Sequence, residues 1–546
     1  MGREVGRVTF TARDYALFRA RLTEGLTLLE KAVEHPHFGT APATLGAELE
    51  VSLIGPDACP VPVAAAVREA SDDDRLSLEV ARFNLEVNLT PVPVRGHPFT
   101  ALAEQTSQAL KRIASVSLRH HGARAVPMGT LPTLTPPDVT AQALTDQPRF
   151  RALERAWARR RSTPFILPVG EQGLLRAESV AVQGAACSWQ THLTVTPNLF
   201  SRTFNAAQLA TGPALAASGN SPFPLGHPGW QEARIPLYER GFGDRCHPGA
   251  GTRRPRVGFG RDWMRGGPQA AFAEAVRCYD VLLPAARADA AHMPGGYPVL
   301  EELRLHLSTV WWWNRPVYDP LGHLRIEFRA LPSGPTPVDM AANTAFLVGL
   351  TLFLAAEGRD VARELPFACA RTNFYRAARD GLRASLWWPT PGSAPREHHA
   401  GALIKDLLPR ARDGLALAAV DADEADTLLG VLDQRVTTGH TGAWWQQRTR
   451  EVLRRRRASA VDACRGPAES PSPGVRTTST TGRDDAMKER GACGDHRAEP
   501  LDPPRPAAAQ RPPDLVELTL RYALLAEEAA PVHTWKPPAL PPRSQR

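Results

Sequence analysis

The 546-residue sequence predicts an α+β fold. Apolar and polar residues alternate with period two in the first third and again in the middle of the chain. Helical spacing opens the chain and dominates from residue 339 onward. No regular strand–helix–strand alternation connects these regions.

Taken in order, residues 1 to about 40 carry Tyr15, Phe18, Leu22, Leu26 and Leu29 at helical spacing. Residues 41–95 alternate with period two and are expected to form strands. Residues 100–120 read as a helix, and 137–165 as a charged helical stretch. Alternation returns near 186–196 and 303–330. Residues 339–460 read as helices broken at Pro366, Pro389 and Pro391. From 458 to 513 Pro, Ser, Thr, Gly and Arg take over, and a disordered insert is expected there because little in it offsets ordering entropy. Residues 514–530 regain helical spacing through Leu515, Leu518, Tyr522 and Leu525, with Asp514 as the expected N-cap. The expected organisation is therefore a domain over 1–457, the insert 458–513, a helix and tail over 514–536 that docks back on the domain, and a disordered tail 537–546.

Composition narrows the function. With 43% hydrophobic and 22% charged residues, most of the chain can bury a core. The net charge of +8 invites a nucleic-acid partner. However, only five lysines occur, and the arginines are scattered apart from Arg454–Arg457. This Arg, Ala, Pro and Gly bias fits a GC-rich bacterial genome, so no nucleic-acid partner is expected. Seven cysteines without a CxxC fit a reducing cytoplasm. The first residues hold no apolar signal stretch, and the longest apolar run, 345–356, is too short to cross a bilayer, so no membrane partner is expected.

Four strand segments share one unusual property. LGAELEVSL, FNLEVNL, WQTHLTV and LRIEFRA each put apolar residues on one face and polar residues on the other. The polar faces gather Glu48, Glu50, Glu86 and Glu327 with His192, Gln190, Arg325 and Arg329. An ordinary solvated face would carry more Thr, Lys and Ser. Carboxylates this close repel, and if the strands adjoin, divalent cations are the natural counter-charge. Carboxylates with one imidazole suit Mg2+, and nearby arginine suits phosphate or carboxylate. No P-loop, GxGxxG, HExxH or GxSxG occurs. A nucleotide site is therefore expected on a sheet face.

These stretches, GAELE, NLEVNLTP, QTH and RIEFR in that order, resemble the glutamate–cysteine ligase superfamily, above all its bacterial carboxylate–amine ligase branch. The stretches 218–239, 309–319, 324–336, 373–388 and 529–535 extend the resemblance. It implies a glutamine-synthetase-like catalytic fold, a curved antiparallel sheet forming a funnel with helices packed outside. It also implies two or three Mg2+ ions, with ATP as co-substrate. By this resemblance Glu48, Glu50, Glu79, Glu86, His192 and Glu327 are metal ligands. Glu79, an odd seven residues before Glu86, would need a bend or bulge to share its face. Arg329 would face the transferred phosphate and act with Glu327 in catalysis, while Arg325 and Arg376 would contact nucleotide. Arg234, Gln190 and Asn220 are the substrate candidates, and Ser221 would line the same pocket. Trp311, Trp312 and Trp313 would wall a pocket or pack in the core. Thr194 stands where some relatives carry a second histidine.

The implied reaction is amide formation through an acyl phosphate, with glutamate and cysteine giving γ-glutamylcysteine for glutathione biosynthesis. Glu327→Gln is expected to fold normally and lose ligation. Three alternatives stay open: ligation of glutamate to another amine, a metal-dependent phosphohydrolase, and a non-catalytic nucleotide-binding regulator. The partners expected are small molecules, with the oligomeric state left open.

Overall fold

A computed structural model describes residues 5–161, 164–169, 173–242, 255–286, 296–358, 360–390, 392–464 and 511–539. Most of the sequence expected to form an insert, 465–510, lies outside the described residues, as does 540–546.

The mixed α and β content centres on one curled antiparallel sheet of eight strands. In chain order these are β1 (Thr44–Ile54), β2 (Leu76–Leu78), β3 (Asn84–Asn88), β4 (Val92–Pro93), β5 (Arg124–Val126), β6 (Trp189–Val195), β7 (Asn314–Asp319) and β8 (His323–Phe328). The main path runs β7-β8-β6-β1-β3-β2, and β4 and β5 pair with β1 beside it. The four segments singled out by their polar faces are thus consecutive neighbours. At 11 residues, β1 is long enough to hold two partners along each edge: β6 and β5 on one, β3 and β4 on the other.

Helices cover the apolar face. The helices that matter below are α1 (Ala12–Glu34), α2 (Pro98–His121), α3 (Pro148–Arg160), α4 (Phe200–Ser218), α5 (Arg234–Gly241), α6 (Glu301–Leu307), α7 (Pro337–Ala356), α8 (Ala400–Leu417), α9 (Ala422–Thr438), α10 (Gly442–Cys464) and α11 (Pro513–Glu527). Helix α7 is the hub, packed among α2, α4, α8 and α9. It is long and apolar enough to cross a membrane, but it is buried inside the protein. Its backbone meets α8 directly. A side chain at Gly349 would strike Ala411 O, and one at Gly414 would strike Gly349 O. Leu49, Val51, Leu85, Val87, Ile326 and Phe328 form the buried apolar face, and Trp189 Nε1 ties it to α7 through Thr344 Oγ1 at 2.8 Å.

Several expectations change. Residues 301–307, whose leucines alternate, form helix α6, because a short apolar run fits either period and Glu301 and Glu302 suit a helix N-terminus. Around Pro389 the chain forms a hairpin, Ser385–Thr390 with Ser393–His399, instead of a simple break between helices. Helix α10 continues to Cys464, past the expected boundary at 457. Helix α11 begins at Pro513 with Pro512 at its cap. Asp514 lies in its first turn and pairs with Arg450 at 2.9 Å.

Candidate metal and nucleotide site

The sheet register converts the polar alternation into one surface. Glu50 lies opposite Glu86 and Glu48 opposite Asn88 across β1 and β3. Glu48 lies opposite Gln190 across β1 and β6, and His192 opposite Glu327 across β6 and β8. Glu79 joins this face through a chain reversal, not a bulge. Strands β2 and β3 form an antiparallel pair in which Ser77 lies opposite Glu86. In that register residues of opposite parity share a face, so an odd separation brings Glu79 alongside Glu86.

Two trios of ligating atoms result. Glu48, His192 and Glu327 form one, and Glu50, Glu79 and Glu86 the other. Within each trio the atoms lie within 4.8 Å of one another. The imidazole Nε2 of His192 is 3.2 Å from Glu48 Oε1. Yet neither ring nitrogen has a hydrogen-bond partner among the described residues, although both are buried. A buried imidazole without such partners, facing two carboxylates, fits a cation ligand. The second trio offers only carboxylate oxygens, as a hard divalent cation requires.

Arginine sets the charge of the first trio. Arg315 of β7 forks onto Glu327, with Nε 2.6 Å from Oε2 and Nη2 2.8 Å from Oε1. Arg329 Nη1 donates to Glu327 Oε1 and to Gln190 Oε1. Burial alone would raise Glu327, but Arg315 and Arg329 outweigh it and hold the carboxyl below its usual range. The second trio meets mainly neutral donors. Gln190 Nε2 donates to Glu50 Oε1 at 3.0 Å and Ser188 N to Glu50 Oε2 at 2.6 Å. Ser77 Oγ and Asn88 Nδ2 donate to Glu86 Oε1 at 2.9 and 3.0 Å. Burial and Glu86 push Glu50 up to about 7. Burial, Glu86 and Glu50 raise Glu79 well above its usual value.

Two cavities adjoin along this face. One of 520 Å3 is lined by Glu48, His192, Glu327, Arg315, Arg325 and Tyr318. One of 230 Å3 is lined by Glu50, Glu79, Glu86, Gln190, Arg149 and Arg329. Glu48, Arg315 and Ser308 border both. Gln190 links the trios, touching Glu50 with one end and Arg329 with the other. The surface can hold polyphosphate between cations and arginines beside a second compartment for an organic substrate.

Three expected site residues lie elsewhere. Arg234 is buried against Glu232, with Nε 3.1 Å from Oε1, and its guanidinium lies 5.4 Å from the centre of the Trp313 ring. It opens α5 but points into the interior, so neither cavity reaches it. Asn220 is also buried and spends its amide on Ser333 O and Tyr522 Oη. Ser221 is bonded to Glu232 beside it. Arg376 pairs with Glu397 of the 385–399 hairpin, away from both cavities. Of the three tryptophans, Trp311 borders the smaller cavity and stacks on Phe242 at 4.0 Å. Trp312 bonds Tyr279 and Trp313 bonds Glu239. Thr194 bonds Thr44, which lines the larger cavity, at 2.8 Å and lies outside both trios.

Sequence reasoning missed Arg315 and Arg149. Arg315 was legible: it alternates with Val317 and Asp319 and faces Glu327 across a tight β7–β8 turn. Arg149 comes from α3, which no local pattern joins to the sheet. It donates to Ser308 Oγ at 3.2 Å, and burial lowers its pKa to about 10.

A family model described as glutamate-cysteine ligase family 2 matches residues 44–463. No curated protein matches the sequence. Among solved structures, a glutamate–cysteine ligase from Francisella tularensis in complex with AMP is similar at 10% identity and a TM-score of 0.49, over 92% of this chain and 91% of that one. A bifunctional glutathione synthetase from Pasteurella multocida is similar at 10% identity and a TM-score of 0.40, over 78% of this chain and 50% of that one.

Proposed function

Because the chain belongs to glutamate–cysteine ligase family 2 and is an ATP-dependent ligase, we propose that it joins L-glutamate to L-cysteine through an acyl phosphate, on a glutamine-synthetase-like sheet. The observation that carries this reading is the pair of metal-ligating trios bordering two adjoining cavities, with Gln190 and Arg329 between them.

A free carboxylate does not react with an amine near neutral pH, because its oxygen is a poor leaving group. Phosphorylation by ATP supplies a better one. Glu48, His192 and Glu327 would hold one Mg2+ and Glu50, Glu79 and Glu86 another, where bound Mg2+ supplies charge neutralisation on phosphate oxygens. Arg329 presents its guanidinium to charge developing on the transferred phosphoryl group. Arg315 keeps Glu327 ionised and fixes its orientation. Arg325, on the wall of the larger cavity, adds a cation for nucleotide phosphates. Gln190 fixes Arg329 relative to Glu50. The walls of the smaller cavity, with Trp311 and Phe150, exclude water that would hydrolyse the acyl phosphate before the amine attacks. No enzyme nucleophile is required.

The test is ADP and phosphate release by the purified chain with Mg-ATP, first with glutamate alone and then with cysteine and a panel of amines, with product masses recorded. Release that needs both amino acids, with a γ-glutamylcysteine mass, is expected. A product with another amine replaces the substrate and keeps the chemistry. Phosphate release from ATP with neither amino acid present identifies a hydrolase. ATP binding with no turnover across the panel identifies a regulator.

A further inference from the structure

Asn220, Ser221 and Arg234 belong to a buried chain of bonds that runs from the C-terminal helix to the floor of the site. It begins at Tyr522 of α11, which is wholly buried. The Tyr522 hydroxyl donates to Pro127 O at 2.9 Å and accepts from Asn220 Nδ2 at 2.7 Å. The same amide donates to Ser333 O at 2.7 Å. Asn220 N donates to Glu232 Oε2 at 2.9 Å, and Arg234 Nε donates to Glu232 Oε1 at 3.1 Å. Arg234 then donates to the carbonyls of Arg329 and Ala330. Ser333 Oγ donates to Glu50 O at 2.7 Å.

Residues 329–334 are therefore gripped at both ends. Arg234 holds the backbone of Arg329, whose side chain reaches Glu327 and Gln190. Ser333 holds the backbone of Glu50, and Asn220 and Tyr522 hold Ser333. There is no slack at Gly334, where φ is +75°: a side-chain carbon would lie 2.0 Å from Pro127 O and 2.9 Å from Tyr522 Oη. The far side of Tyr522 is fixed by Trp535 at 5.2 Å and Trp445 at 6.0 Å, both edge-on. Buried polar groups satisfied in series move together, because each displaced member leaves its neighbour without a partner.

We propose that Tyr522 is a positioning residue for the reaction, through which docking of the C-terminal helix places Arg329 and Glu50. This rests on the site reading above. Small displacements of groups aimed at a transferring phosphoryl cost rate more than binding.

The test uses full-length Tyr522→Phe beside Arg511→Ala. Arg511 docks the same segment through Thr133 O and Asp138, outside this chain of bonds. Ligation kinetics and amide hydrogen exchange are measured on the same samples. Tyr522→Phe is expected to lower kcat about tenfold with KM for ATP and glutamate within about twofold, and to speed exchange across 329–335. Arg511→Ala should lower the melting temperature and keep kcat. Asn220→Ser, breaking the next link, should reproduce the Tyr522→Phe split. If Tyr522→Phe lowers only the melting temperature, with kcat and exchange at 329–335 as in the wild type, the proposal is overturned. A wild type inactive on every amine, with faster exchange at 329–335 in Tyr522→Phe, supports the coupling and overturns only the ligase reading.

Discussion

Glu48, His192 and Glu327 share the polar face of the sheet with Glu50, Glu79 and Glu86, yet the two groups are neutralised differently. Around the first, Arg315 and Arg329 close on Glu327 and keep it ionised. Around the second, hydroxyl and amide donors satisfy the oxygens without supplying much charge, so Glu50 and Glu79 hold protons more strongly than free carboxyls. The first trio is preorganised by protein cations. The second keeps its negative charge down by holding protons. One sheet thus carries a site whose charge is balanced in advance and a site whose balance depends on what binds.

The largest effect expected from breaking this contrast is at Glu327. Glu327→Gln should lower ligation at least about 1000-fold, read as product formation at saturating Mg-ATP. It should not fold as securely as the sequence suggests, because it leaves Arg315 and Arg329 buried without their counter-charge. Urea unfolding should show a loss of about 3–5 kcal/mol. Wild-type stability in this variant would mean the arginines do not depend on Glu327.

Next is Arg329→Lys, which keeps the charge but shortens the side chain and displaces the donor that Nη1 presents to both Glu327 and Gln190. Its kcat should fall about 100-fold, with a smaller change in KM for ATP, in steady-state kinetics.

The second trio gives a pH signature. Folded Glu50 holds its proton to about pH 7, whereas the unfolded group releases it near 4.5. Between those values the native state binds more protons than the unfolded state, so metal-free stability should fall as pH rises, by about 3 kcal/mol from Glu50, with the raised Glu79 acting in the same direction. Saturating Mg2+ should offset the loss above pH 7. Thermal melts across pH 4.5–8, with and without Mg2+, read both slopes, and a metal-free stability that rises through this window contradicts the assignment.

The smallest effect on stability is expected at Glu79. Because its carboxyl is already held toward the neutral form, Glu79→Gln should change metal-free stability by less than about 1 kcal/mol at pH 7. Calorimetry should nevertheless show weaker Mg2+ binding, by about tenfold. Equal, large losses of stability at Glu79 and Glu327 would erase the distinction between the trios.

Much of the polar face was legible because a strand reports its faces by parity alone. Glu48, Glu50, Glu86, His192, Gln190, Arg325, Glu327 and Arg329 meet because their four strands adjoin, and the alternation had already sorted their side chains. Glu79 was harder. Its odd spacing looked like a defect in one strand and is instead the signature of two strands around a turn. Asn220, Arg234 and Arg376 were misplaced for a common reason. Asn220 lies on a loop and Arg234 at a helix start, where no period fixes side-chain direction, while Arg376 lies within the helix Phe367–Asp380, whose period sets its face but not what that face meets. Tertiary partners such as Glu232, Ser333 and Glu397 decide all three. Arg149 comes from a helix whose contact with the sheet is purely tertiary. The hairpin around Pro389 read as a break because proline punctuates helices, yet proline is tolerated on a two-stranded edge.

In the proposed reaction ATP passes its phosphoryl group to the substrate carboxylate on this face. The direct measurement supplies glutamate labelled with 18O in its γ-carboxylate, together with cysteine and Mg-ATP, and records the mass of the phosphate released. Phosphate carrying one 18O, formed together with γ-glutamylcysteine, is the predicted result. Unlabelled phosphate released at the same rate would show that water takes the phosphoryl group, and would contradict the account.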